Sequence, residues 1–343
     1  MKYPKRPDAY PNVFKKETDA QLPSRPDNRT RYMYFKPVAR GGKCVISSCK
    51  DLHLRRTVCY KTLRPEIASN PAEQARFLRE ARVTAMLQHP NTVPTYELGR
   101  DITGKYYFTM KLVHGLTLRE IIDQRKQRRR RDSESINLTR LIEILVQVCH
   151  AMHYAHIHGV VHRDIKPENI LVGDFGEVML LDWGTAKVWD DTSKTNVHED
   201  KNSPGYKLAK IDISDASIDL TRRAPLDGTP PHMSTEQLQD PLDVDHRTDI
   251  YSLGTVLYEL LTLDRMFQGD DVETVLERIQ SQDFVPPRER RPDLDIPEEL
   301  EEICLRCTLA DRDQRYQSGD ALIVDLERWV YSAKVTETST IEA

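Results

Sequence analysis

The sequence predicts an α+β chain in two parts, a small mixed sheet-and-helix part followed by a larger, mainly helical one. Short β-branched or aromatic runs such as TVCYKTL and KYYFTMKL lie between Arg31 and about Leu112. One amphipathic helical pattern interrupts them, and beyond Gly115 the period becomes helical throughout. The helix of the first part has a legible start. Asn70 caps it, Pro71 suits its first position and Glu73 completes a capping box, so it is expected from Pro71 to about Gln88. The helical segments of the second part are LTRLIEILVQVCHAMHYAHIHG, TDIYSLGTVLYELLT, LEEICLRCTLA and DALIVDLERWVY. Residues 1–30, rich in Pro, Lys, Asp and Asn, are expected to form a flexible arm, and residues 334–343, KVTETSTIEA, a frayed tail. The long polar tract from Trp189 to Asp227 argues for a functional or mobile loop inside the helical part.

At 343 residues, with 38% hydrophobic and 30% charged side chains, the chain has the composition of a soluble globular protein with room for a sizeable core. A formal net charge of -4 supplies no global pull toward nucleic acid or an anionic membrane, and no nucleic acid is required. The local basic run Arg125 to Arg131, RKQRRRR, reads first as a solvated helix end and loop and only second as a docking patch for acidic partners, RNA or a membrane surface. No apolar stretch approaches the roughly 18 residues of a membrane span, and the N-terminal residues lack the apolar centre of a signal peptide. A cytoplasmic location is expected. The six scattered cysteines fit reduced thiols, and the single CxxC, Cys304 and Cys307, reads as two buried positions on one helix.

Chemistry enters at HRDIKPEN, residues 162–169, followed by an apolar run, a turn at GDFG, a second apolar run VMLL and then Asp182-Trp183-Gly184. Phosphoryl transfer needs a carboxylate to receive a hydroxyl proton, and carboxylate and amide oxygens to hold Mg²⁺ against phosphates. Asp164, Asn169 and Asp182 supply those groups. At this string the chain resembles the protein-kinase family, whose signature is HRDxxxxN followed by DFG.

The resemblance runs from Tyr32 to Val330 and implies the two-lobed protein-kinase fold. That fold has a small β-sheet N-lobe with its αC helix over a large helical C-lobe, and ATP in the cleft between. The N-lobe is expected at 31–112, the C-lobe at 113–333 and a long activation segment at 182–236. Asp164 is then the catalytic base and Lys166 its companion on the transferring charge, while Asn169 and Asp182 hold the metal. Lys61 in VCYK takes the place of the lysine on the α- and β-phosphates, and Glu80 in FLREA that of its ion-pair partner. Met110 stands as gatekeeper before an adenine-binding hinge, Lys111 to Val113. Glu236 in MSTEQ matches the glutamate of the family's APE motif, Arg315 in DRDQRY its partner, and Asp249 in HRTDIYSLG the aspartate that braces the catalytic loop. Arg163 is expected to receive a phosphate from the activation segment. Self-phosphorylation is expected between Trp189 and Thr229, where Thr192, Ser193, Thr195, Ser203, Ser214, Ser217 and Thr221 are the candidates. Lys166 together with Thr229 in GTPP resembles the Ser/Thr-specific branch, and Trp183 in place of Phe is similar to bacterial members. The resemblance implies ATP-dependent transfer to Ser/Thr hydroxyls of protein substrates. A small-molecule phosphotransferase of related fold would carry an HGDLHPGN-like loop instead.

The departures concern the phosphate-covering loop. The family's GxGxxGxV becomes Ala39-Arg40-Gly41-Gly42-Lys43-Cys44-Val45-Ile46, which keeps the middle glycine and adds another. Side chains at 39 and 44 are expected to loosen the grip on ATP, with strain if Cys44 takes a left-handed conformation. The outcome would be a raised KM with preserved kcat, or in the alternative a pseudokinase scaffold. Cys44 is also a candidate for thiol modification, and Cys59 replaces the alanine usually packed on adenine. His150, His153, His156, His158 and His162 crowd one helix and its exit. A metal pair is conceivable from their spacing, but family positions for His156 and His162 and partly exposed sites for the rest are the stronger reading.

Overall fold

The computed structural model describes residues 31–40, 42–129, 137–188 and 230–341. The arm at 1–30, Gly41, Arg130 and Arg131, the tract 189–229 with Thr229, and the last two residues lie outside them. The described residues divide into two compact units.

The first unit comprises 31–85 and 94–113. Its sheet runs β1 (Tyr32–Arg40), β2 (Cys44–Asp51), β3 (Arg56–Leu63), β4 (Thr95–Arg100) and β5 (Tyr106–Met110), in the spatial order β1-β2-β3-β5-β4 and antiparallel throughout. Its helix α1 (Pro71–Met86) ends two residues before the sequence expectation. Asn70 caps it, its Oδ1 accepting from the Ala72 N–H at 2.9 Å. The expected capping box does not close. The Asn70 N–H donates to the Ile67 carbonyl, and the Glu73 carboxylate takes Lys43 and Arg76 instead, because those cations reach it from outside the turn. Apolar residues pack on both faces of the sheet. Leu63, Ala68, Phe77, Ala81 and Phe108 join β3 and β5 to α1, while Tyr32, Cys49, Val58 and Tyr107 form a second cluster with Tyr60 against it. In that second cluster the Tyr60 and Tyr107 rings stack at 4.6 Å between centroids.

The segment Met86–Val93, expected within the first part, belongs to the second unit. Asn91 explains the reassignment: its carbonyl accepts from the Leu180 N–H at 2.8 Å and its side chain donates to the Val178 carbonyl at 2.9 Å. The second unit continues with β6 (Gly115–Thr117), α2 (Leu118–Arg129), α3 (Leu138–Ile157), β7 (Val160–Val161), β8 (Ile170–Gly173), β9 (Val178–Leu180) and β10 (Lys187–Val188). Then follow α4 (Thr235–Gln239), α5 (Arg247–Thr262), α6 (Val272–Ser281), α7 (Pro287–Arg290), α8 (Glu298–Cys307) and α9 (Gly319–Ile341). Its core is α3 and α5, both rich in fully buried Leu, Ile and Val. The expected frayed tail is helical through Ile341, since no Gly or Pro interrupts α9 after Gly319 and Lys334 pairs with Glu143 of α3. Among the described residues no helix is long and apolar enough to cross a membrane.

Candidate active site

In the first unit, alternation along β3 points Cys59, Lys61 and Leu63 toward α1. Lys61 reaches Glu80, which α1 presents one turn beyond Phe77, and both side chains are buried. A buried lysine kept charged needs such a partner. Its ammonium also lies 5.7 Å from the centroid of the Phe108 ring. Cys59 is buried opposite Met110 at the end of β5, and the Lys111 N–H donates to the Pro94 carbonyl at 3.0 Å as the chain leaves the sheet. Val113 ends the first unit three residues later, without regular structure.

The strain expected if Cys44 took a left-handed conformation does not arise. Ala39 pairs with Ile46 inside the β1–β2 ladder, and Cys44 opens β2 opposite Leu63. Neither has a positive φ, and neither does Gly42. Cys44 packs against the Leu63 and Phe77 cluster, so hydrophobic contact holds it in extended backbone without strain. The positive φ in β1 falls at Tyr34 instead, beside an irregularity of register between Met33 and Lys36.

In the second unit the string HRDIKPEN, residues 162–169, is a hub of side-chain to backbone bonds. Asp164 is buried, and its Oδ2 accepts from the Lys166 ammonium at 2.6 Å and the Asn169 amide at 3.2 Å. The Asn169 Nδ2 also donates to the Asp164 carbonyl at 2.8 Å, so the amide nitrogen is committed to Asp164 and the amide oxygen is the acceptor end of the side chain. The hairpin β8–β9 pairs Ile170 with Leu180 and closes with a 2.8 Å bond from the Leu181 N–H to the Asn169 carbonyl. Asn169 and Asp182 therefore stand at the same end of one hairpin, with Asp182 exposed. Two hard oxygen donors so placed fit a Mg²⁺ ion.

Asp249, fully buried on α5, braces this string from within. Its Oδ2 accepts from the His162 N–H and from His156 Nε2, each at 2.8 Å, and its Oδ1 from the Arg163 N–H at 2.8 Å. Burial works to raise its pKa, yet the hydrogen bond and charge of His156, with the other donors, hold it below the usual carboxylate value. The backbone of Arg163 is thereby fixed in the left-handed region at φ 68°, and Asp182 sits there too at φ 61°. Arg163 Nε donates to the Thr185 carbonyl at 2.7 Å, and the Thr185 hydroxyl returns a bond to the His162 carbonyl at 2.9 Å. Trp183 is buried, 4.6 Å between ring centroids from His162.

Glu236 and Arg315 form a bidentate pair at 2.7 and 2.8 Å, with Arg315 fully buried. Burial works to raise the Glu236 pKa, but the Arg315 guanidinium outweighs it and the net shift is downward. The crowded histidines each have another occupation: beside His156 and His162, His158 contacts the Tyr154 carbonyl, His150 faces Glu327 at 3.4 Å and His153 packs on Gly319. Cys304 and Cys307 are both buried on α8, where desolvation raises their thiol pKa values.

Sequence reasoning missed Gln237, whose amide donates to the Arg163 carbonyl at 3.0 Å and so ties α4 to the catalytic string. The signal was available, because Ser234 and Gln237 form a capping box at the S-x-x-Q spacing. It also missed Arg119, Glu168, His232 and Glu259, which meet behind the string.

A sequence profile of the protein kinase domain matches residues 32–323. The chain belongs to the protein kinase family. Its relatives include serine/threonine-protein kinase PknD of Protochlamydia amoebophila, 32% identical over 306 residues that cover 87% of this chain and 30% of that protein. Serine/threonine-protein kinase PknB of Mycolicibacterium smegmatis is 33% identical over 301 residues, covering 87% of this chain and 43% of its own length. PknB of Mycobacterium tuberculosis is 31% identical over 301 residues, with 87% of this chain and 42% of the relative covered. The kinase chain thus spans less than half the length of these relatives.

Proposed function

We propose that this chain is a protein serine/threonine kinase that transfers the γ-phosphate of ATP to hydroxyls of protein substrates, including its own. The observation that carries the reading is the arrangement around Asp164: a buried carboxylate held by Lys166 and Asn169, with Asp182 delivered beside Asn169 by one hairpin. Asp164 would orient the acceptor hydroxyl and receive its proton, and Lys166 would offset the charge of the transferring group. Lys61, kept in place by Glu80, would contact the α- and β-phosphates, and the backbone of Lys111 to Val113 the adenine. Asn169 and Asp182 would hold Mg²⁺, which when bound neutralises phosphate charge. Arg163, whose Nε is anchored on Thr185, would read a phosphate within the activation segment 182–236, with Lys187 adding positive charge nearby. A kinase domain at 31–333 and a cytoplasmic setting suit this reading, since ATP is abundant there and the six cysteines form no disulfide among the described residues.

Incubation of the purified chain with Mg-ATP, followed by phosphopeptide mass spectrometry, tests the proposal. Wild type should acquire phosphoserine or phosphothreonine, with sites in 189–229, and Asp164→Asn should lose at least about a hundredfold in rate while still binding nucleotide. Equal incorporation by Asp164→Asn would refute the assignment of the base, and no incorporation by either protein would point to a scaffold.

A further inference from the structure

Behind the catalytic string lies a cluster of charged groups contributed by four elements. Arg119 of α2 donates from Nε to Glu168 Oε1 at 3.0 Å and from Nη2 to Glu259 Oε2 of α5. Glu168 is the middle residue of the turn Pro167–Asn169, between Lys166 and the Asn169 amide that holds Asp164. On the far side, Glu259 Oε1 lies 3.4 Å from Nε2 of His232, in the turn Pro230–His232, and the two side chains are 1% and 3% exposed. Neither atom has a hydrogen-bond partner among the described residues.

The protons around His232 can be assigned one by one. The Thr255 hydroxyl donates to the Ser252 carbonyl at 2.7 Å, so it can only accept from His232 Nδ1, 2.9 Å away. Nδ1 therefore carries the ring proton, and Nε2 of a neutral His232 is a bare lone pair. Opposite it stands a carboxylate oxygen, also a lone pair, and 3.4 Å is too short a separation for a water to lie between them. The charge count makes the same demand: one guanidinium faces two carboxylates, while Lys166 is paired with Asp164 and Arg265 is half exposed and 3.9 Å from Glu168. A proton between Nε2 and Oε1 satisfies both.

We infer that Arg119 is a positioning residue for the catalytic turn, braced from behind by one proton that His232 and Glu259 hold between Nε2 and Oε1. This rests on the kinase reading of the turn itself. With the proton in place, Glu259 keeps Oε2 for Arg119, and Arg119 keeps Glu168 in register beside Lys166 and Asn169. Burial raises the Glu259 pKa against the pull of Arg119 and Arg265, with Glu168 adding to the rise. Burial also lowers that of His232 to about 3, Glu168 opposing and Arg119, Arg265 and Lys166 assisting. Because the ring proton of a neutral His232 is on Nδ1, the proton between Nε2 and Oε1 belongs to Glu259, and it is lost as pH rises through the raised value. Without it the two lone pairs repel and the brace behind Arg119 loosens.

Two measurements on the full chain test this. In steady-state kinetics, Arg119→Met should lower kcat roughly ten- to hundredfold while KM for ATP moves less than about threefold, because the loss is one of alignment. Wild type should lose kcat on the alkaline side, and Glu259→Gln, whose amide N–H is a permanent donor to Nε2, should lack that decline. A role in folding alone would not move the pH profile. Nitrogen NMR of labelled imidazoles, assigned with His232→Asn, should find His232 neutral and protonated at Nδ1 at pH 7. An Nε2–H tautomer, an unchanged kcat in Arg119→Met, or an alkaline limb identical in wild type and Glu259→Gln would each overturn the inference. If wild type transfers no phosphate, the kinase reading fails on its own and the NMR result alone judges the proton.

Discussion

Asp249 shows how much one buried carboxylate can organise. Three donors converge on its two oxygens, and two of them are consecutive backbone amides of the catalytic string. An unfolded aspartate titrates near about 4, and the folded value lies below that, so its contribution is complete above about pH 5 and is lost as pH falls through the lowered value. Asp249→Asn should cost roughly 1–3 kcal/mol at neutral pH, since one amide group must face a donor. It should also flatten the acid side of the Tm against pH curve below about pH 5, and parallel curves for the two proteins there would remove Asp249 as the acid sensor. The position of this residue was legible, because a motif identifies it. Cys44 was not, because a family pattern that places glycine there says nothing of the backbone a cysteine will adopt. With Cys44 in regular strand and in contact with the Phe77 cluster, Ala39→Gly with Cys44→Gly relieves no strain. The double variant should lower Tm, each strand glycine costing roughly 0.5–1 kcal/mol, and should leave KM for ATP no lower than in wild type. Thermal melts and ATP titration of initial rates check both.

At the scale of elements, the sequence revealed which segments are helical or extended but not how closely they pack. Gly254 reads as an ordinary weak point in α5, yet a Cβ there would lie 2.5 Å from the Cys307 Cβ and 2.7 Å from the Thr308 Cγ2 of the α8 end. The glycine thus permits α5 and α8 to approach, and the Cys304 thiol reaches the Gly254 carbonyl at 3.4 Å across the same contact. Gly254→Ala should force the helices apart at a cost of roughly 1–3 kcal/mol despite the better helix propensity of alanine. Because Asp249 stands one and a half turns earlier on α5, a fall in kcat should accompany the fall in Tm. A stabilised Gly254→Ala would mean that the contact yields. Helix ends were the other blind spot. The α9 end was expected to fray on composition, whereas Lys334 finds Glu143 on α3, a pairing between residues far apart in sequence that no local pattern announces.

At the scale of the molecule, the two units differ in how they keep water out. Among its described residues the first holds a five-stranded sheet packed on α1, and its outer strand β1 leaves Met33, Tyr34, Phe35 and Val38 exposed. Its buried clusters are small, and the Lys61–Glu80 pair is buried beside them, at a desolvation cost that offsets part of the apolar contribution. The second unit contains α5, in which every residue from Thr248 to Thr262 is buried, packed on α3, whose inner face is Leu, Ile and Val. Local opening free energy follows the density of buried contacts, so the units should differ in their resistance to opening. Hydrogen exchange read by mass spectrometry on the intact chain should therefore find the slowest amides in peptides covering 248–262 and 141–155, exchanging only through global unfolding. Peptides covering 32–51 should exchange through openings of lower free energy, because β1 is an edge strand with an irregular register. Adding Mg-ATP should slow exchange around Lys61 and around 164–169 while leaving 248–262 unchanged, since those amides are already at the limit set by global stability. Amides of β1 and β2 that exchange as slowly as those of α5 would show that the chain opens as a single cooperative body, and the division of stability between the units would then be wrong.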